Sequence, residues 1–445
     1  MPLDHTHAPA ARSWLAAANS GTTDFPLQNL PFGVFRRAGA DEAFRGGVAI
    51  GDQVVDLDRL SRWGLLDGLA GDACKACAQP ALNGFLAMGP AAWRALRHGL
   101  FALLAEGVHP RAREAVLASL VPQSQAEHGV PARIGNYTDF YTSEHHARNI
   151  ARLRRPDALP SPNFHWMPIA YHGRASSIVS SGTPVRRPLG QRLPVGAAGP
   201  AFGPCERLDY ELELAVYIGT GNTHGDPIAV DAADEHVFGI GLLNDWSARD
   251  VQFWESQPLG PFLAKNFATT VSPWIVTLDA LEPFRTRWTR DDALPAPLPY
   301  LDSQGVRERG AFDIRVAACL QSQAMRQAGT AAHQLSSTSF RHQSWTVAQM
   351  LAHHTIGGCN LQPGDVIGTG TISGPEPQEA GALMELSRDG QEPVALPGGE
   401  RRSFLADGDT VVFRAHAHKP GAVRIGFGEC AGTITASHHN LRAVG

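Results

Sequence analysis

The sequence predicts a β-rich α+β protein in two parts, a smaller mixed N-terminal unit and a larger C-terminal body of short strands. Three observations carry this expectation. Helical spacing, with apolar residues at i, i+3 and i+4, is concentrated in residues 59–120. Beyond residue 131 short alternating runs recur, punctuated by turns from a stock of 46 glycines and 32 prolines. Neither a βαβ alternation nor a glycine-rich dinucleotide fingerprint is present, which makes a Rossmann sheet a poor reading.

Taken in order, residues 1–23 are polar and alanine-rich and are expected to form a short helix and an ordered arm. From Phe32 the runs GVFRR and FRGGVAIGDQVVDL read as a small β unit, with Gly51-Asp52 as its hairpin turn. LSRWGLLDGL, FLAMGPAAWRALRHGLFALLAEG and RAREAVL then carry helical spacing. The stretch 121–131, VPQSQAEHGVP, is polar and proline-bounded, and it is read as the domain boundary between units 1–128 and 129–445. After it come the strand runs VFGIGLLND, VSPWIVTL, AFDIRVAACL, DVIGTGTI, DTVVFRA and VRIGFGE. One helix is predicted over 345–351, opened by Ser344 as N-cap.

Bulk properties narrow the function. With 445 residues, 43% hydrophobic and 18% charged, the chain has ample core for two or three domains. A net charge of −5 with dispersed Lys and Arg offers no basic patch for nucleic acid and no polybasic membrane segment. The first twenty residues lack the basic and apolar regions of a secretory signal, and no run approaches the ~20 apolar residues of a membrane span. Cys74 and Cys77 form a lone CxxC with no second pair to complete a zinc site, so buried thiols are expected. The expectation is a cytoplasmic protein.

The chemical signal lies in residues 208–218, LDYELELAVYI. Leu208, Tyr210, Leu212, Leu214, Val216 and Ile218 alternate with Asp209, Glu211 and Glu213, the pattern of a half-buried strand. Three carboxylates then share one face, about 6–7 Å between alternate positions. A solvated sheet face can carry such acids. A second acidic motif, NDWSARD at 244–250, follows within forty residues, and a hard divalent cation held by oxygen ligands would relieve the repulsion.

Four further segments hold uncommon residue combinations: IGNYTDFYTS (134–143) running on to His146-Ala-Arg-Asn149; YHGRASS (171–177) with SGTPVRRP (181–188); NDWSARD with PLGPFLAK (258–265) and TTVSPW (269–274); and GTISGPEP (370–377). Together with YELEL they closely resemble the fumarylacetoacetate hydrolase family, from about Asp24 to the C-terminus. The resemblance implies an SH3-like barrel for the N-terminal domain, a mixed β-sandwich roll for the catalytic domain, and a homodimer. It implies hydrolysis of fumarylacetoacetate to fumarate and acetoacetate in tyrosine and phenylalanine breakdown.

By the same resemblance, Asp139, Glu211, Glu213 and Asp245 ligate a metal, an all-oxygen set suited to Ca²⁺ or Mg²⁺ and not to zinc. A second, Mg²⁺-type position would draw on Asp245, Lys265 and Thr269, with Lys265 limited to its backbone carbonyl because an ammonium cannot ligate a cation. Asp209 is outside the family pattern, and a salt bridge to Arg207 or a turn contact is expected for it. Among 19 histidines the spacing Tyr-x-Ser-x-x-His-Ala-x-Asn selects His146, not His145, as the base, with Glu385 orienting it. Arg249, Gln252 and Lys265 match the oxyanion donors, although Arg249 could instead pair with Asp250. Tyr141, Arg155, Tyr171, Gln252 and Thr371 match positions that grip the substrate, and a tyrosine of that set is replaced here by Ser256. Two other readings stand beside this one: a relative acting on another acylpyruvate or β-diketo acid, or by decarboxylation or hydration, and a β-rich scaffold with structural Ca²⁺.

Overall fold

Phe32–Arg37, Arg45–Ile50 and Gln53–Asp56 form an antiparallel meander whose first turn residue after Ile50, Gly51, sits at φ +56, in the left-handed region open to glycine. The polar stretch read as the domain boundary carries strands of its own. Leu120–Pro122 pairs with Gln53–Asp56, and Ala126–His128 pairs with Phe32–Arg37, so the polar stretch supplies both edges of a five-stranded antiparallel sheet. Edge strands tolerate polar residues and proline, which is why the composition reads as loop. The N-terminal arm also differs from expectation, holding the two 3₁₀ turns His5–His7 and Ala16–Asn19.

Helices Leu57–Arg62, Gly68–Ala76, Pro90–Leu104 and Pro110–Ala118 occupy the stretch read as helical. Leu60, Trp93, Leu96 and Leu100 bury against Phe32, Val48 and Val55 of the sheet. The same cluster takes in Tyr217, Phe238, Val271 and Ile275, so the N-terminal unit packs on one face of the larger sheet that follows. Cys74 and Cys77 are unpaired and buried in this core; burial and the nearby Asp56 and Asp58 push the Cys74 thiol up to about 12, which leaves it unreactive.

The computed structural model describes residues 2–155, 157–291 and 294–438. Its C-terminal part is built on an eight-stranded mixed sheet with the path Ile169–His172, Tyr137–Tyr141, Val366–Gly368, Leu212–Ile218, Val237–Asp245, Thr269–Val271, Ile178–Ser180; Val276–Thr277 pairs with Val237–Asp245 off that path. A five-stranded sheet of His333–Ser339, Ile314–Gln321, Thr410–Ala417, Ile425–Thr435 and Val185–Arg186 faces it. Leu212, Leu214, Val216 and Ile218 share one apolar core with Val316, Leu320, Val411, Phe413 and Phe427 between the sheets. Ala215 and Tyr217 pack on the opposite face, in the core of the N-terminal unit. Leu212–Ile218 is therefore buried on both faces, where the sequence alone suggested one; a sheet covered on both sides has no solvated face.

The late helix is Val347–Thr355, capped by Thr346 with Gln349 in a reciprocal capping box, two residues beyond the expected Ser344 cap. All elements together give a β-rich α+β chain.

Candidate active site

Four carboxylates from three segments meet at one end of the large sheet. Tyr137–Tyr141 runs parallel to Val366–Gly368, with Asp139 opposite Gly368. Leu212–Ile218 and Val237–Asp245 pair antiparallel with Leu212 opposite Asn244, which brings Glu213 and Asp245 to the same end. One oxygen from each of Asp139, Glu211, Glu213 and Asp245 lies within 4.8 Å of the others, and all four residues are buried. Gly368 makes room for this: a Cβ there would run into Asp139 Oδ1 and stand 3.0 Å from the Tyr137 hydroxyl and 3.1 Å from Glu213 Oε2.

The charge balance of the cluster is incomplete. Lys265 Nζ ion-pairs with Glu211 and lies 3.0 Å from Asp245 Oδ2. Arg249 Nη1 donates to Glu211 Oε1 at 2.6 Å. Burial works against the charged form of Glu211, yet Lys265 and Arg249 hold its carboxyl below the ordinary range. Asp139 and Glu213 form no ion pair among the described residues: burial first, then the neighbouring carboxylates, push both carboxyls well above their usual values against a weaker pull from Lys265. Asp139 Oδ1 and Glu213 Oε1 are buried with no hydrogen-bond partner among the described residues. An all-oxygen, anionic, inward-facing set with unpaired oxygens fits a hard divalent cation. Thr269 Oγ1 donates to Asp245 Oδ1 at 3.1 Å, and the Tyr171 hydroxyl donates to Asp245 Oδ2 at 2.7 Å, so both brace this carboxylate.

The expected base, His146, follows on the next helix. Ser143 caps the helix Glu144–Arg154 by accepting from the His146 backbone N–H at 3.2 Å, which fixes His146 in the first turn, close behind the strand carrying Asp139. His146 Nδ1 lies 2.7 Å from Glu385 Oε2, and both side chains are buried. Burial opposes ionisation of Glu385, but His146 beside it and hydrogen bonds from His146, Asn149 and Ser373 hold its carboxyl below the ordinary value. With Nδ1–H given to Glu385, Nε2 is the ring atom that accepts a proton.

Sequence reasoning missed Asn149 and Ser373. Asn149 Nδ2 donates to Glu385 Oε1 at 2.9 Å, and Ser373 Oγ lies 3.0 Å from both Glu385 oxygens. A signal existed for Asn149, three residues from His146 and so on the same helix face. Asp209 is also reassigned. Its expected partner, Arg207, ion-pairs with Asp389, while Asp209 accepts from Arg249 Nε at 2.9 Å and from the Leu383 and Met384 backbone N–H groups. The alternative pairing of Arg249 with Asp250 does not form; Asp250 accepts from Cys205 Sγ and the Glu206 backbone N–H.

The site opens on a cavity of about 360 Å³. Asp139, Tyr141, His146, Tyr171, Glu211, Glu213, Arg249, Gln252, Ser256, Lys265 and Thr371 line it, with Ile150, Ile169, Phe253, Leu259 and Met384 as apolar wall. The Tyr141 ring packs edge-on to His146 at 5.4 Å. Gln252 Oε1 accepts from Arg249 at 3.1 Å, leaving the amide NH₂ as its donor end. The Ser256 hydroxyl turns back to the Gln252 carbonyl at the helix C-cap. Of the expected residues, Asp245, Thr269 and Glu385 are buried and do not line this cavity, and Arg155, which caps the C-terminus of Glu144–Arg154, is exposed and does not line it.

Comparison with known proteins gives the following matches. Residues 136–435 match the family model described as fumarylacetoacetate (FAA) hydrolase, C-terminal, and residues 28–131 match fumarylacetoacetase, N-terminal. Fumarylacetoacetase of Bos taurus is 45% identical over 416 residues, covering 93% of this chain and 96% of the relative. The Arabidopsis thaliana and Homo sapiens fumarylacetoacetases are 47% and 45% identical over the same shares of both chains. A crystal structure of a provisionally assigned HpcE protein from Mycobacterium smegmatis shares the fold (21% identity, TM-score 0.50, 91% of this chain and 99% of that one).

Proposed function

The chain belongs to the fumarylacetoacetate hydrolase family, and from that premise we propose that it hydrolyses the carbon–carbon bond of 4-fumarylacetoacetate, giving fumarate and acetoacetate in tyrosine and phenylalanine breakdown. The observation that carries this reading is the buried His146–Glu385 pair, whose imidazole lines the same cavity as Asp139, Glu211 and Glu213 of the carboxylate cluster.

Asp139, Glu211, Glu213 and Asp245 would hold Ca²⁺ or Mg²⁺, with Thr269 and Lys265 at the Asp245 side for a second, Mg²⁺-type position. Bound there, the cation supplies Lewis-acid polarisation of the β-diketone and countercharge for the carbon leaving group. His146 Nε2 takes the proton of a water that attacks the carbonyl beside the fumaryl group, and Glu385 stabilises the imidazolium that forms. Arg249, Gln252 and Lys265 face the oxyanion of the tetrahedral species, with Arg249 held in place by Asp209 and Glu211. His146 then returns its proton to the departing carbon. Tyr141, Tyr171 and Thr371 orient the substrate, and Arg155 reaches its outer carboxylate only by moving from its present exposed position.

Three coarser features complete the proposal. The N-terminal unit, 1–128, is an SH3-like domain, a reading supported by its short five-stranded antiparallel sheet; 129–445 is the β-sandwich roll that carries catalysis, supported by its two facing sheets. The active species is a homodimer. The protein works in the cytoplasm, where its six unpaired cysteines stay reduced. The function is tested by following the loss of fumarylacetoacetate ultraviolet absorbance in Ca²⁺- or Mg²⁺-replete enzyme. Turnover that yields fumarate and acetoacetate is expected; absence of turnover with metal bound would overturn the assignment.

A further inference from the structure

The helix Glu144–Arg154 serves two cavities. His146 and Ile150, four residues apart, line the catalytic one. His145, Arg148 and Arg152, spaced three and four apart, line another of about 450 Å³. Across it stand Arg290, Arg341, His342 and Gln343, so four arginines oppose two acids, Glu144 and Asp291, and Glu144 is already ion-paired with Arg148. The guanidinium groups of Arg152 and Arg341 have no hydrogen-bond or ion-pair partner among the described residues.

Two independent features mark the wall as built to bind. Gln343 is only 5% exposed, yet neither its amide oxygen nor its nitrogen has a hydrogen-bond partner among the described residues. Buried amides are normally satisfied, and this one stands unpaired behind a cavity wall. The Arg290 guanidinium lies 4.8 Å over the Trp345 ring and is anchored by Nη2 on the His165 carbonyl, while its buried Nε and Nη1 have no partner. A fixed, stacked guanidinium with open N–H groups matches the paired oxygens of a carboxylate or phosphate. Burial holds the His145 and His342 pKa values down, so near neutrality the fixed positive charge comes from the arginines.

We propose that this cleft is a second binding site, separate from the catalytic cavity, for a small anion bearing carboxylate or phosphate groups. Arg290 and the Gln343 amide grip the anion, and Arg152 and Arg341 supply the field that draws it in.

Calorimetric titration of the full-length protein at physiological salt with inorganic phosphate, and separately with succinate, tests the site. Saturable binding of at least one probe is expected. It should weaken at least tenfold in the Arg152→Ala/Arg341→Ala variant, whose melting temperature without probe stays that of the parent. Gln343→Leu removes an unpartnered buried amide, so it should fold normally and bind severalfold more weakly. Phosphate alone binding identifies a phosphate ester as the ligand class, and succinate alone identifies an organic dicarboxylate. Absence of saturable binding by both probes, or undiminished affinity in the double arginine variant, would overturn the proposal.

Discussion

His145 and His146 are neighbours in sequence with different surroundings. His146 is buried against Glu385, whereas His145 lies edge-on to His342 at 6.1 Å, on the side of the helix away from the carboxylates. His146→Ala should lower turnover about 10²–10⁴-fold, the usual worth of a general base, and leave metal affinity intact. His145→Ala should be nearly neutral for turnover, and steady-state kinetics of the two variants check the register. At Ser256 the small side chain, folded back on the Gln252 carbonyl, leaves space at the cavity wall. Ser256→Tyr should lower KM for fumarylacetoacetate by up to about tenfold, one neutral hydrogen bond, with kcat almost unchanged. A collapse of kcat would favour an acylpyruvate as the natural substrate. The acidic strand was legible because alternation places Asp209, Glu211 and Glu213 on one face, whereas the set Asp139, Glu211, Glu213 and Asp245 came only through the family resemblance. The partner of Asp209 was not, since Arg249 and the Leu383 and Met384 backbone are 40 and more residues away in sequence.

At the scale of elements, the cluster depends on two strands meeting closely. Val366–Gly368 runs beside Tyr137–Tyr141, and Gly368 is the point where a side chain would enter the carboxylate site. Gly368→Ala should therefore cost about 1–3 kcal/mol of stability through overpacking, and it should weaken Ca²⁺ or Mg²⁺ binding more than a surface Gly→Ala control does. Denaturant melts and calorimetric titration measure the two effects separately. The short strands, the hairpin at Gly51 and the helical stretch could be read from periodicity. The edge strands at 120–122 and 126–128 could not, because a strand pairing on one side only is free to be polar. The Thr346 cap was missed because Ser344 is an equally good N-cap by residue type, and only the Gln349 side chain reaching back selects between them.

For the whole molecule, the folded chain gathers four buried carboxylates that repel one another unless a cation joins them. Chelation should abolish activity and lower the Tm by several degrees, with Ca²⁺ or Mg²⁺ restoring both; a ligand at a hundred times its Kd stabilises by about 2.7 kcal/mol. The pH dependence has a definite sign. Asp139 and Glu213 hold protons in the metal-free fold above their ordinary values, so the folded state there binds more protons than the unfolded one. Stability of the metal-free protein should fall as pH rises from the ordinary carboxylate range through those raised values. Metal affinity should rise over the same window, with proton release on binding that titrations in buffers of different ionisation enthalpy detect.

The sequence by itself determined the β-rich class, the helical stretch of the N-terminal unit and the acidic alternation of 208–218, because these are written in local periodicity, whereas the roles of Asp139, Asp245 and His146 rested on family resemblance. Tertiary structure decided which faces are buried, how Asn149 and Ser373 fix Glu385, that Asp209 holds Arg249, and that Arg155 stands outside the cavity. Each of those depends on groups distant in sequence and brought together by sheet pairing and packing, and local pattern carries no information about which distant partner satisfies a buried charge.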